Sequence, residues 1–302
     1  MDVLADALSA LRTGAPRSAG ADLHAPWGLR FPAIAGATFH VVLQGNCWLS
    51  PTKTGPLRLG AGDVVLLRHG NAHVLRDDLG SALSDFAPVQ GDAPGLIGRV
   101  RVEGPGARTV LLCGAYPFGG TRHPLLGELP AVVHLPTRSR TGALRDLVGL
   151  IGEELGEPQP GRDGILPALI DAMLLYILRA WVSEQAHTAA GGWAAALTDP
   201  AIGRALAAIH AEPAHPWTVA ELGARSGLGR SAFAQRFSAL VGAPPAAYLT
   251  WWRMTVAARL LHASDAPLGV IAQRVGYTSE FAFGKAFKRE HGRSPGRYRS
   301  ER

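Results

Sequence analysis

Apolar and polar residues follow three different rhythms along this chain, and the changes of rhythm mark its parts. Val3, Leu4, Ala7, Leu8 and Leu11 share one helical face, which predicts a short amphipathic helix at the start. Between 30 and 135 the pattern is that of short β-rich runs, "ATFHVVLQGNCWLS", "GDVVLLRHGNAHVL", "ARTVLLCGAYPF" and "AVVHLP", bounded by Gly, Pro and Asn. Runs this frequent, with no helical periodicity between them, predict an all-β sandwich or barrel. From 141 to 185 the period becomes helical. "TGALRDLVGLIGEEL" and "GILPALIDAMLLYILRAWVSEQ" read as two helices around the break "GEPQPGRDG". The second is apolar over more than one face, which predicts packing on several sides, in a subunit interface or against the barrel. "HTAAGGWAAA", residues 187–196, reads as a loose linker.

From Asp199 onward the pattern is helical to the end. "DPAIGRALAAIH" opens with an Asp cap and a Pro at the first helical position, and Thr218 with Glu221 has the spacing of a capping box. This region contains one unit twice. Leu222, Arg225, Gly227 and Leu228 match Ile271, Arg274, Gly276 and Tyr277 at an offset of 49; beyond the turn Phe233, Phe237, Gly242, Pro245 and Tyr248 match Phe283, Phe287, Gly292, Pro295 and Tyr298 at an offset of 50. Each copy reads as a short helix, a turn at a glycine able to take positive φ, and a second helix held by two Phe one turn apart. The helix-turn-helix units fall near 219–242 and 268–292. Between them "PPAAYLTWWRMTVAARLLHAS" predicts one connecting helix of about 18 residues, about 27 Å long. A rod of that length can hold two recognition helices about one DNA turn, ~34 Å, apart.

Charge singles out the same region. The chain of 302 residues has a formal net charge of +6, with 14 Lys and Arg against 7 Asp and Glu in 199–302, and 16 against 17 in 1–198. The positive excess thus belongs to the repeat, as a polyanion-binding domain requires. With the Phe pairs buried, Arg230, Ser231, Ala234, Gln235 and Ser238 face outward in the first copy, and Glu280, Phe281, Gly284, Lys285 and Lys288 in the second. Gln can pair with an adenine edge, Lys with guanine and Glu with the cytosine amino group. Arg289, Arg293, Arg297 and Arg299 suit phosphates, which position without reading sequence.

Residues 199–302 resemble the AraC/XylS-type DNA-binding domain along their whole length, carried above all by "IAQRVGYTSEFAFGKAFKREHGRSPGRYR". The resemblance implies base contacts at Ser231, Ala234 and Gln235 in the first recognition helix, and at Glu280, Phe281 and Lys285 in the second. "GDVVLLRHGNAH", with Arg68 in place of a proline, resembles the second sequence motif of cupins, and residues 30–135 resemble the cupin-like sensor attached to one AraC-type subgroup. That likeness implies a β-barrel that binds or senses a small signal.

The expected fold is therefore multidomain α+β: a cupin-like β-barrel sensor over 1–140, a helical dimerisation or linker region over 141–198, and an all-α tandem helix-turn-helix domain over 199–302. His40, Cys47, His73 and Cys113 are the candidate effector or redox residues. Two cysteines make a disulfide framework improbable, and buried small hydrophobes are their default reading. Some regulators with this sensor type respond to oxidants through cysteine, which needs a thiolate held by a nearby cation such as Arg68, His69 or His73. His40 lacks the companion His and carboxylate of a metal-binding cupin, so neither metal nor other cofactor is expected. No nucleophile motif or phosphate-cradling loop is present.

The function these residues predict is a transcription regulator rather than an enzyme. The rivals are a metal-dependent cupin enzyme tethered to DNA and a DNA-organising protein without a ligand. The expected partners are double-stranded promoter DNA, a small-molecule or oxidant effector, RNA polymerase as for an activator, and a second copy of the chain. With no basic leader and no apolar run near the ~18 residues needed to span a bilayer, the expected location is the cytoplasm, without a membrane.

Overall fold

The computed structural model describes residues 2–11, 16–52, 54–87, 98–118, 124–137, 142–156, 159–186 and 192–300. In chain order a first helix α1 (Val3–Leu11) precedes strands β1 (Arg17–His24), β2 (Gly28–Phe31), β3 (Ala37–Gln44), β4 (Asn46–Pro51), β5 (Leu57–Gly60), β6 (Val64–Leu67), β7 (His73–Arg76), β8 (Ser84–Asp85), β9 (Gly98–Val102) and β10 (Arg108–Tyr116). A short helix α2 (Pro124–Glu128) interrupts the strands before β11 (Val132–Leu135). The remainder is helical: α3 (Gly142–Leu155), α4 (Arg162–Ala186), α5 (Trp193–Thr198), α6 (Pro200–Ala211), α7 (Val219–Arg225), α8 (Arg230–Val241), α9 (Pro245–Ala263), α10 (Leu268–Arg274), α11 (Glu280–His291) and α12 (Pro295–Ser300).

Two compact units result. One comprises residues 14–118 and 129–181, the other residues 1–13, 119–128 and 182–302. These divisions differ from the sequence expectation of a continuous 1–140 sensor and a separate 141–198 region. Side-chain burial gives the reason: Val3, Ala7 and Leu8 of α1 are buried, and α1 packs on α6 and α9. The apolar face read from the sequence is therefore spent on the helical unit.

In the β unit, one sheet runs β11-β6-β3-β10-β1-β9 and the other β5-β4-β7-β2-β8. The pairings are antiparallel except β1 with β9 and β2 with β8. Alternation decides which side chains enter the core. Val42 and Cys113 of the first sheet, and Leu29, Cys47, Leu49 and Leu75 of the second, belong to one buried cluster. On β3 the opposite face is buried as well, with Phe39 and Val41 at 0% exposure, because α3 lies against that strand. Tyr116 adds a tie, its hydroxyl donating to the Ile170 carbonyl of α4 at 2.6 Å.

Two corrections concern segments that the pattern misread. β1, "RSAGADLH", was not among the expected strands because its core-facing residues are Ala19, Ala21 and Leu23, two of them too small for a strong β signal. The expected linker 187–196 is instead helical from Trp193, with Trp193, Ala194 and Ala196 buried; its residues 187–191 lie outside the described residues. The apolar run of α4 also exceeds expectation, since residues 162–185 are long and apolar enough to cross a membrane by length and composition. Pro167, Asp171 and Arg179 break the uninterrupted run, whereas the helix as a whole reaches that length. In this fold its Leu166, Ile170, Met173, Leu174, Ile177 and Leu178 are buried, as in a core helix.

Candidate nucleic-acid interface and the interior of the barrel

The two copies of the repeat fold alike. α7 and α8 form the first helix-turn-helix unit, α10 and α11 the second, and α9 contacts both α8 and α11. Its 19 residues span about 28 Å. Gly227 turns the first corner at φ 72° and Gly276 the second at φ 81°. Gly276 is needed twice over, since a Cβ there would stand 2.6 Å from the Ala214 carbonyl oxygen. Phe233, Phe237, Phe283 and Phe287 are all fully buried, with ring centroids 5.5 and 5.7 Å apart within each pair.

The helix starts are less alike. Thr218 caps α7 by accepting from the Glu221 N–H at 3.1 Å, but the Glu221 carboxylate turns to His215 Nε2 at 2.9 Å. Asp199 caps α6 by accepting from the Ala201 and Ile202 amides, both at 2.9 Å. Ser279 caps α11, whereas the α8 cap position is Gly229, which has no side chain to offer.

Burying the Phe pairs leaves the predicted faces outward. Arg230, Ser231 and Gln235 are exposed on α8, with Ala234 and Ser238 half-buried; Glu280, Phe281, Lys285, Lys288 and Arg289 are exposed on α11. Phe281 is 71% exposed, the most exposed of the large apolar side chains described. Arg297 is exposed on α12, and the Arg293 guanidinium lies 5.1 Å from the Tyr298 ring centre. Arg299 departs from its expected role. It is half-buried, and its guanidinium donates to the Ala266 carbonyl at 2.6 Å, so it ties α12 to the connection between α9 and α10.

Beneath these helices sits a polar group that sequence reasoning missed. His210 of α6 stacks on Trp252 at 3.7 Å and meets the Tyr248 hydroxyl through Nε2 at 2.7 Å. Burial lowers the His210 pKa to about 3 and raises that of Tyr248, so the phenol donates and the neutral imidazole accepts. His210 Nδ1 then faces Asp6 Oδ2 of α1 at 3.8 Å. The sequence holds no local signal for this set, because His210 lies 38 residues from Tyr248, 42 from Trp252 and 204 from Asp6.

In the β unit, His40 of β3 and His73 of β7 come from different sheets and meet Nε2 to Nε2 at 2.7 Å. Phe31 stacks parallel to His73 at 4.8 Å and edge-on to His40 at 4.8 Å. The His73 Nδ1–H donates to the Asn71 carbonyl at 2.8 Å, which leaves its Nε2 to accept from His40. Burial lowers both pKa values, and for His40 the proximity of His73 adds to it. The pair is thus a neutral hydrogen bond between sheets. His40 Nδ1 has no hydrogen-bond partner among the described residues. No group of three or more His, Cys, Asp or Glu able to hold a metal occurs among the described residues.

Cys47 and Cys113 are free thiols inside the same core, at 0% and 1% exposure. Burial pushes the Cys47 pKa up to about 12, with Asp63 adding to it, and burial followed by Cys47 pushes Cys113 up as well. The cation-stabilised thiolate that oxidant sensing calls for is therefore not formed at either residue in this conformation.

A tandem helix-turn-helix domain with a basic outer face, joined in one chain to a cupin-type β unit, defines a DNA-binding transcription regulator. Similarity to known proteins agrees: the family described as Cupin matches residues 2–183, and that described as Helix-turn-helix domain matches residues 222–301. An AraC-like transcription regulator of Streptomyces antibioticus is 37% identical over 99% of this chain and 98% of its own. The HTH-type transcriptional regulator AlkR of Acinetobacter baylyi is 32% identical over 91% of each chain. Among solved structures, the DNA-binding domain of AdpA in complex with a target DNA is 33% identical, matching 34% of this chain and 93% of that one at a TM-score of 0.33. The chain belongs to the family of AraC-like transcription regulators.

Proposed function

We propose that this protein is a promoter-specific regulator whose β unit senses a small molecule, and that α8 and α11 read bases while arginines hold the backbone. The observation that carries the reading is the pair of exposed recognition faces supported by one shared helix, α9. Ser231, Ala234 and Gln235 on one side, and Glu280, Phe281 and Lys285 on the other, are the base-reading residues. Arg230, Lys288, Arg289 and Arg297, with Ser238, flank them as backbone contacts. Sequence-specific DNA is one partner, in the cytoplasm. RNA polymerase and a second copy of the chain are the others.

For the signal, a small molecule is favoured over an oxidant because both thiols are buried and protonated. The buried His40–His73 bond spans the two sheets, so a ligand that competes for either imidazole shifts how the sheets pack. The test is binding of the purified full chain to its footprinted promoter over a salt series. Affinity should fall steeply as salt rises, and Arg297→Ala should flatten the slope of log affinity against log salt by about one unit. An unchanged slope would remove Arg297 from the phosphate contacts. An apparent affinity that no small molecule from the growth medium or cell extract alters would favour the ligand-independent rival.

A further inference from the structure

The chain inserts α2 between β10 and β11, two strands of the β unit, yet α2 packs in the helical unit against α5. There the Glu128 carboxylate accepts the Trp193 N–H, the first amide of α5, at 2.7 Å. Three helices of the unit draw side-chain caps from their own flanks, Asp199 for α6, Thr218 for α7 and Ser279 for α11, whereas the cap positions of α8, α9 and α10 offer none. The N-cap position of α5 is Gly192, which has no side chain, and the first amide of α5 is met by a carboxylate 65 positions away. The fit is close, since a Cβ on Gly192, whose φ is 95°, would stand 2.8 Å from Glu128 Oε2.

What α5 holds in turn is the first recognition helix. α5 packs on α8 and α6. At its far end Asp199 closes α5 by donating its amide to the Ala195 carbonyl, and its carboxylate accepts from the Arg236 Nε of α8 at 2.8 Å. α8 has no side-chain cap of its own. α11, by contrast, is capped by Ser279, and its main packing partners are α9, α10 and α12.

We infer that α2 is an intramolecular strap: through the Glu128 cap on α5 it sets the pose of α8, but not of α11, so that a change in the strands flanking α2 is passed to one half of the DNA site. The inference rests on the reading of α8 and α11 as separate base readers. It explains an asymmetry the repeat alone does not, since two copies of one unit become differently supported. The strap acts by positioning and touches no DNA itself.

The experiment compares full-length wild type, Glu128→Ala and Glu128→Gln. Amide hydrogen exchange is followed in α5, α8 and α11, and binding is measured to the footprinted promoter with single-base changes in each half. Glu128→Ala should speed exchange in α5 and α8 at least tenfold while α11 stays within threefold of wild type, and it should blunt base discrimination in the α8 half alone. Glu128→Gln keeps a carbonyl acceptor and should match wild type in both readouts. Equal acceleration in α8 and α11, or none in α8, would overturn the strap. α11 protection serves as the internal check that the variant folds. Wild-type protein that binds no promoter would defeat the functional reading, while the exchange arm would still decide the strap.

Discussion

Lys285 holds its ammonium 4.5 Å from the centre of the Phe281 ring, one turn away on α11. At an exposed site such a cation–π contact contributes roughly 0.5–1 kcal/mol. It also restrains a side chain that would otherwise sample many rotamers, so the lysine is partly ordered before any base arrives. An exposed phenyl ring beside an ordered cation is suited to a thymine methyl next to a guanine.

The first prediction follows from this pair. Lys285→Ala should relax preference at one or two base pairs and cost about 1–3 kcal/mol on the best site. Phe281→Ala should weaken the same half-site, and the double variant should lose less than the sum of the single losses, because each side chain orders the other. The measurement is a double-mutant cycle over promoter variants with single-base changes. Equal weakening of every variant by Lys285→Ala would reassign that lysine to a phosphate.

A second expectation concerns the limits of the DNA-binding domain. Trp193 is fully buried and lies 5.8 Å from the Tyr248 ring, so a fragment that begins at Asp199 leaves the Tyr248 side of the core open. Removing a buried Trp costs about 3–5 kcal/mol. The fragment 192–302 should therefore melt well above 199–302, and both should retain salt-dependent DNA binding below their melting points. Coincident melting curves would show that α5 adds nothing to that core.

The thiols give a third test. With Cys47 at a pKa of about 12 and Cys113 also raised, a disulfide reagent at pH 8 should label neither residue in the folded protein and both after denaturation. Cys47→Ser and Cys113→Ser should each leave promoter control by hypochlorite or peroxide unaltered. Rapid labelling of the native protein would mean that the barrel opens on the time scale of the assay.

Acid sensitivity is the fourth. His210 has a folded pKa of about 3, below its ordinary value of 6.5, so between those values the unfolded chain binds the extra proton. Stability from this group is complete above about pH 6.5 and is lost as pH falls towards 3. At pH 5 the loss from His210 alone is about 2 kcal/mol, and the lowered value at His291 in the same unit acts in the same direction. Denaturant unfolding of the helical unit between pH 7 and 5 checks the slope. His210→Gln should start less stable and show a shallower fall.

How much of this was legible in the sequence depends on the range of the interaction concerned. The repeat, its corner glycines, its Phe pairs and the Asp199 and Thr218 caps are local patterns, fixed by helical period and backbone geometry within a few residues, and each appears where the spacing predicted. The outward faces of α8 and α11 follow from the same period, since burying the Phe pairs leaves one direction free. Arg299 and residues 193–196 could not be read this way, because an Ala266 carbonyl and a Tyr248 ring lie far off in sequence.

The tertiary structure alone decided the rest. That His40 meets His73 depends on two sheets closing on each other, and that both thiols are buried depends on what surrounds them. That α1 joins the helical unit depends on the surface that buries Val3, Ala7 and Leu8, and that α2 joins it depends on its contact with α5. Local pattern selects the elements and their faces, whereas partners are chosen by burial and hydrogen-bond satisfaction across the whole chain, which no window of sequence contains.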